Sequence, residues 1–166
     1  MMANAPLRME FLTGYACWLP PEQWCGTRFA ARRMFFEGHF ETHCNRHMVC
    51  NACGLPTLTL QIESDYCSAC DWEDDFSEDP YADEISKMNG GVSLNQARRN
   101  ILEKGTMFCD TDRNWMHPTS FEKIFSRRAQ AHRDKLFQLF DELMTYTDAA
   151  DVDRQWATID EHWRTA

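Results

Sequence analysis

The strongest pattern along the chain is helical. Between residues 119 and 146, Phe121, Ile124, Phe125, His132, Leu136, Leu139, Phe140 and Leu143 recur at spacings of three and four, which is one buried helix face. Thr119 with Glu122 reads as a capping box at its start. A further helix is expected over residues 149–164, where Val152, Trp156, Ile159 and Trp163 share a face, so the two predict a C-terminal helical hairpin. Residues 92–104 predict another. There Ser93 and Gln96 make a capping box, Val92 and Ala97 a hydrophobic staple, and Gly105 the C-cap. Leu94, Ala97, Ile101 and Leu102 form its buried stripe, leaving Arg98, Arg99 and Lys104 to solvent. Nearer the start, residues 27–37 alternate Phe29, Ala30, Met34 and Phe36 with Arg28, Arg32 and Arg33, and Gly38 is expected to end that helix.

Only one stretch has the two-residue period of a strand. Over residues 57–62, Leu58, Leu60 and Ile62 fall on one face and Thr57, Thr59 and Gln61 on the other. This strand lies between two Cys-x-x-Cys pairs, Cys50/Cys53 and Cys67/Cys70, with thirteen residues between Cys53 and Cys67. A Cys-x-x-Cys turn aims two sulfurs at one point, and two such turns supply the four thiolates of a tetrahedral zinc site. Gly54, directly after the first pair, suits the positive φ that such turns often require. Two disulfides could use the same four residues in an oxidising compartment, and a thioredoxin-like redox pair shares the motif. A redox pair calls for a βαβ context, which is lacking around it. The reading adopted is one structural Zn2+ held by Cys50, Cys53, Cys67 and Cys70, in a closed site that supports the fold and performs no reaction.

The same residues resemble the cysteine-rich CPCC proteins, small and mostly bacterial. That family's pattern runs C-P-C-C-G, a strand, Y-x-I-C-x-x-C-x-W-E-D-D, then G-G-x-x-x-V-S-L-x-x-A-R-x-N. This chain carries CNACG from Cys50, YCSACDWEDD from Tyr66 and GGVSLNQARRN from Gly90, in that order. Asn51 stands for the family's proline and Ala52 for its middle cysteine, which reduces the namesake motif to a plain Cys-x-x-Cys. The resemblance implies a zinc-ribbon-like element and carries no activity with it. It also suggests a small companion protein of the kind encoded beside bacterial toxins.

Together these elements predict an α+β, mostly helical fold: a small zinc-ribbon hairpin covered by helices, with a C-terminal helical hairpin. The expected divisions are an N-terminal helical segment over 1–47, the CPCC-like module over 48–110 and the hairpin over 111–166, packed as one unit. The N-terminal segment also holds Cys17, Cys25, His39, His43, Cys44 and His47, a possible second metal group without paired-ligand spacing.

Charge then narrows the function. The formal net charge is −9, and a filled four-thiolate zinc site adds a further formal charge of about −2. Such a surface repels phosphate backbones, so nucleic acid is not an expected partner. Residues 71–84 hold eight acidic residues and no basic one, which reads as a solvated loop with Trp72 turned inward onto the cysteines. Glu73, Asp74, Asp75, Phe76, Glu78, Asp79 and Tyr81 are the expected partner-binding residues. No segment looks like a secretory leader or a membrane span, so the expectation is a soluble, cytoplasmic protein with reduced thiols.

No Walker loop, dinucleotide fingerprint, HExxH or nucleophile elbow is present, and Cys109 with His117 is a coincidental pair, so the chain is not expected to be an enzyme. The leading expectation is an immunity protein that binds and neutralises a basic toxin domain. The alternative is a nucleic-acid-binding zinc-ribbon regulator resting on Arg32/Arg33, Arg98/Arg99 and Arg127/Arg128.

Overall fold

The C-terminal hairpin forms where its periodicity places it. The computed structural model describes residues 19–39, 47–59 and 65–165, apart from the side chains of His39 and Arg113. In chain order the helices are α1 (Arg28–His39), α2 (Leu94–Lys104), α3 (Pro118–Ile124), α4 (Arg127–Leu143) and α5 (Ala149–Arg164). Asp148 caps α5 by accepting from the Ala150 and Asp151 amides. Gln155 reaches Leu139 O at 2.8 Å, and His162 Nε2 lies 3.1 Å from His132 O, so α4 and α5 run antiparallel. Their shared face buries Leu136, Leu139, Phe140, Leu143, Val152 and Ile159.

The single helix expected over 119–146 is in fact two. His117, not Thr119, caps α3, its Nδ1 accepting from the Thr119 amide. The chain then breaks at Phe125, and Ser126 caps α4 by accepting from the Ala129 amide. A serine whose hydroxyl can bond an amide three residues on competes with helix continuation, and here it wins. Arg133 Nη2 then satisfies the orphan Ile124 carbonyl at 2.7 Å.

In α2, Ser93 accepts from the Gln96 amide and Gly105, at φ +72°, closes the C-terminus. The Gln96 side chain turns instead to Asn100 Oδ1, so only half of the capping box forms. Arg98, expected in solvent, has no exposed surface, whereas Leu102, expected in the core, is exposed. Helix α1 shows the same reversal. Arg32 and Arg33 are buried and Met34 is exposed, and Gly38 lies inside the helix rather than beyond it. The reason is register: positions 29, 32, 33 and 36 form the i, i+3, i+4, i+7 stripe that faces the core. The two arginines lie between Phe29 and Phe36, and Asp141, Glu37 and Asp79 meet their charges.

The ribbon is a two-stranded antiparallel hairpin, β1 (Met48–Val49) with β2 (Pro56–Leu58), pairing Met48 with Leu58 and Val49 with Pro56 across an irregularity. The expected strand over 57–62 is thus seen only at its start, and residues 60–62 lie outside the described residues. Its expected alternation fails as well. Pro56, Thr57 and Leu58 are all buried, because Thr57 turns toward Cys67. One cluster of buried side chains runs from the cysteines through Leu55, Leu58, Trp72 and Leu94 to Leu136, Phe140 and Ile159, so the ribbon shares its core with the C-terminal hairpin. The fold is α+β and mostly helical.

Candidate metal centre

The two Cys-x-x-Cys turns are built alike, sharing two backbone hydrogen bonds. In the first, the Cys50 amide donates to Leu55 O and the Gly54 amide to Cys50 O. In the second, the Cys67 amide donates to Trp72 O and the Asp71 amide to Cys67 O. Each turn ends in a left-handed residue, Gly54 at φ +81° and Asp71 at φ +67°. Ala52 and Ala69 occupy equivalent buried positions, and so do Leu55 and Trp72. Asp71 is held in its unusual conformation by Thr106, whose hydroxyl donates to Oδ2 at 2.7 Å, and by Arg133 at 3.6 Å. Gly54 has a second requirement, since a Cβ there would lie 2.8 Å from Phe29 O in α1.

This symmetry brings the four sulfurs together. Cys50 and Cys70 are 3.8 Å apart, Cys53 and Cys67 3.6 Å, and all four lie within 4.8 Å of one another. A tetrahedron with metal–sulfur bonds of about 2.3 Å has edges of about 3.8 Å, so the spacing suits a metal ion. None is bonded to another in a disulfide, for which sulfurs must approach to about 2.05 Å. Relative exposure is 1% for Cys67 and 0% for the other three, so the sulfurs are closed off from solvent. Thr57 Oγ1, 2.8 Å from Cys67 Sγ, adds one hydrogen bond to the sulfur set.

Burial and mutual hydrogen bonding act unequally on the cysteine thiols. Burial raises the Cys50 thiol, but hydrogen bonds from Cys53, Cys67 and Cys70 outweigh it and hold it well below the ordinary value. Burial pushes Cys53 and Cys70 well above theirs, and hydrogen bonds to Cys50 and Cys67 add to the rise. Cys50 is therefore the favoured thiolate while Cys53 and Cys70 resist ionisation, an imbalance that a bound cation would remove, because metal binding displaces thiol protons.

A closed pair of cysteine knuckles, packed under helices, is the class these features define. Residues 48–122 match the family described as Cysteine-rich CPCC, and the chain carries a cysteine-rich CPCC domain with a cysteine cluster able to hold a metal ion. No curated protein and no solved structure matches the chain.

The acidic loop departs from its expected form. Trp72 is fully buried against the knuckles, as its motif suggests, but Asp74 and Glu78 are buried rather than solvated. Asp79 is turned inward too, pairing with Arg33 at 3.0 Å and Arg98 at 2.7 Å. What the loop presents outward is Phe76, Tyr81, Asp83, Glu84 and Ile85, with Glu73 and Asp75 half-buried. These inward ion pairs also remove half of the arginines offered for nucleic-acid binding. Arg32, Arg33 and Arg98 are internal, while Arg99, Arg127 and Arg128 remain exposed.

Of the second candidate metal group, Cys17, His43 and Cys44 lie outside the described residues, as does the side chain of His39. Cys25 bonds the Pro20 and Pro21 carbonyls, and the His47 ring packs on Trp163 at 5.2 Å. Cys109 lies 2.8 Å from Thr111 Oγ1, while His117 serves as a helix cap. An open groove of about 580 Å3 lies away from the cysteines, between Arg28, Ile101 and Phe137. No helix among the described residues is long and apolar enough to cross a membrane.

The residues that sequence reasoning missed are Asn51, within the first knuckle, and Thr57, Arg98 and Asp79, which support the knuckles from outside. Their signal was faint. Asn51 stands where the resembling family has proline, and its Nδ2 donates to Ser77 O at 2.9 Å, tying the first knuckle to the loop.

Proposed function

We propose that this protein is a zinc-stabilised protein-binding protein, and that its partner is a basic toxin domain which it neutralises. The observation that carries the reading is the direction of the charges. Three of the six arginines that favoured nucleic acid face inward onto carboxylates, while Asp83, Glu84, Phe76 and Tyr81 face outward. The zinc, held by Cys50, Cys53, Cys67 and Cys70, contributes rigidity and no open coordination position. An acidic face with aromatic anchors, mounted on a stapled scaffold, suits a basic surface that must itself attract an anionic substrate.

The test is protection. If a basic toxin domain is encoded beside this chain, cells expressing that domain should survive when this chain is co-expressed. Asp75→Lys with Glu84→Lys should weaken protection and slow association, most at low salt. One zinc per chain by elemental analysis is expected in parent and variant alike. Undiminished protection by the double variant removes the loop from the interface. A protein that protects against no basic domain, yet is retained on heparin or DNA at moderate salt, favours the nucleic-acid reading instead.

A further inference from the structure

Arg98 is the most deeply buried cation described, with a relative exposure of 0% in the middle of α2. Its guanidinium uses every edge. Nε and Nη2 both donate to the Asn51 carbonyl, at 3.1 and 2.9 Å. Nη1 reaches Asp79 Oδ1 at 2.7 Å and Asn95 Oδ1 at 3.3 Å. Its plane lies over Phe29, 4.4 Å from the ring centre, with Trp24 at 5.7 Å. Burial lowers its pKa to about 10, with Asp79 opposing the fall, so it stays charged at neutral pH.

Asn51 follows Cys50 inside the first knuckle. A bidentate grip on its carbonyl therefore fixes the peptide that connects Cys50 to Cys53. The network behind the grip is neutral: Arg33 and Arg98 are matched by Glu37 and Asp79. Arg98 thus acts less as a counter-ion than as an oriented clamp, a task for a planar fork rather than a point charge. The second knuckle is clamped by other means, through Met107 N on Cys70 O and Thr106 on Asp71.

We infer that Arg98 is the positioning residue of the metal centre: by fixing the Asn51 carbonyl it holds the Cys50 and Cys53 sulfurs at metal-binding separation and slows loss of the ion. The inference rests on the zinc reading above. Partners one shell out from a metal typically change affinity by about 10- to 100-fold when removed, and that is the expected size here.

The experiment compares zinc-loaded parent, Arg98→Lys, Arg98→Met and Arg32→Met, following zinc transfer to a chromogenic chelator well below the unfolding midpoint of each. Arg32 is a matched control, a buried arginine whose Cβ lies near Gly54 but whose guanidinium pairs with Asp141 at 2.7 Å and stacks on Phe137, bonding no knuckle group. Arg98→Met should release zinc about 10- to 100-fold faster. Arg98→Lys, which keeps the charge without the fork, should fall between, and Arg32→Met should match the parent. The Co2+-loaded forms should show an altered thiolate absorption band only in the Arg98 variants. Parent-like release from the Arg98→Lys and Arg98→Met proteins overturns the assignment. So does equal acceleration in Arg32→Met, which would reduce the effect to general destabilisation. A parent protein that contains no zinc overturns the metal reading itself, a separate result. If Arg98→Met does not fold, the lysine variant carries the comparison.

Discussion

Gly54→Ala separates two demands that the first knuckle places on one residue. The backbone there sits at φ +81°, and an added Cβ would stand 2.8 Å from Phe29 O, 3.0 Å from Arg33 N and 3.1 Å from Arg32 Cβ. A left-handed conformation costs an L-residue about 1–2 kcal/mol. The close contacts are largely helix backbone, which cannot swing aside, so α1 must move off the knuckle, and overpacking of that kind costs about 1–3 kcal/mol more. The expected total is about 2–5 kcal/mol. Gly26→Ala is the control, because Gly26 has φ +76° and nothing within 4 Å of its added Cβ. It should show the conformational cost alone. Urea unfolding of both variants at one fixed free-zinc concentration measures the difference, since bound metal itself contributes to apparent stability. Values for the two variants within about 0.5 kcal/mol of each other would refute the packing argument and leave α1 loosely seated on the knuckle.

Two further outcomes test the hairpin. Phe140→Ala should cost about 3–5 kcal/mol in unfolding free energy, because Phe140 is fully buried and meets Phe36, Trp156 and Trp163 edge-on; a negligible shift in urea midpoint would mean that this face does not pack as described. His132, stacked on His162 at 4.4 Å, is held below the ordinary imidazole value of 6.5 by burial, with His162, Arg133 and Arg128 adding to the shift. The unfolded chain then takes up a proton that the folded chain resists, so stability falls as pH drops through 6.5 toward the lower folded value and is level above it. His132→Gln should flatten that slope in urea titrations between about pH 5.5 and 8, and an unchanged slope counts against it.

What the sequence made legible were features set by short spacings. Two cysteines three apart, twice, define the knuckles, and a three-four apolar rhythm defines the C-terminal helices to within a residue at α5. The fate of the arginines was not legible in the same way. Arg33 meets Asp79 across 46 residues and Arg32 meets Asp141 across 109, and no local pattern announces such pairs. Without them, a charged residue on a helix is best placed in solvent, and that rule failed at Arg32, Arg33 and Arg98 together. The break before Ser126 was hidden for a different reason. Phe121, Ile124 and Phe125 continue the apolar rhythm into α4, and periodicity cannot distinguish a helix that runs on from one that is re-capped.

The inward arginines also change what the acidic run means. Counted along the chain, residues 71–84 form a dense patch of negative charge, yet Asp74 and Glu78 are buried and Asp79 is matched by two guanidiniums. Their work lies in placement. Asn51 holds the loop at Ser77, and Arg98 joins the Asn51 carbonyl to Asp79, so the loop is fastened to the first knuckle at two points. Its start leaves the second knuckle directly at Asp71, where Thr106 and Arg133 hold the carboxylate. Phe76, Tyr81 and the exposed carboxylates are thus presented from a frame whose ends both depend on the four sulfurs. For the proposed partner, ordering that surface would be met during folding rather than at association, which favours tight binding by a small face. Under the proposed function, a bound metal would act on partner recognition without touching the partner: it would fix the knuckles, and the knuckles hold the loop.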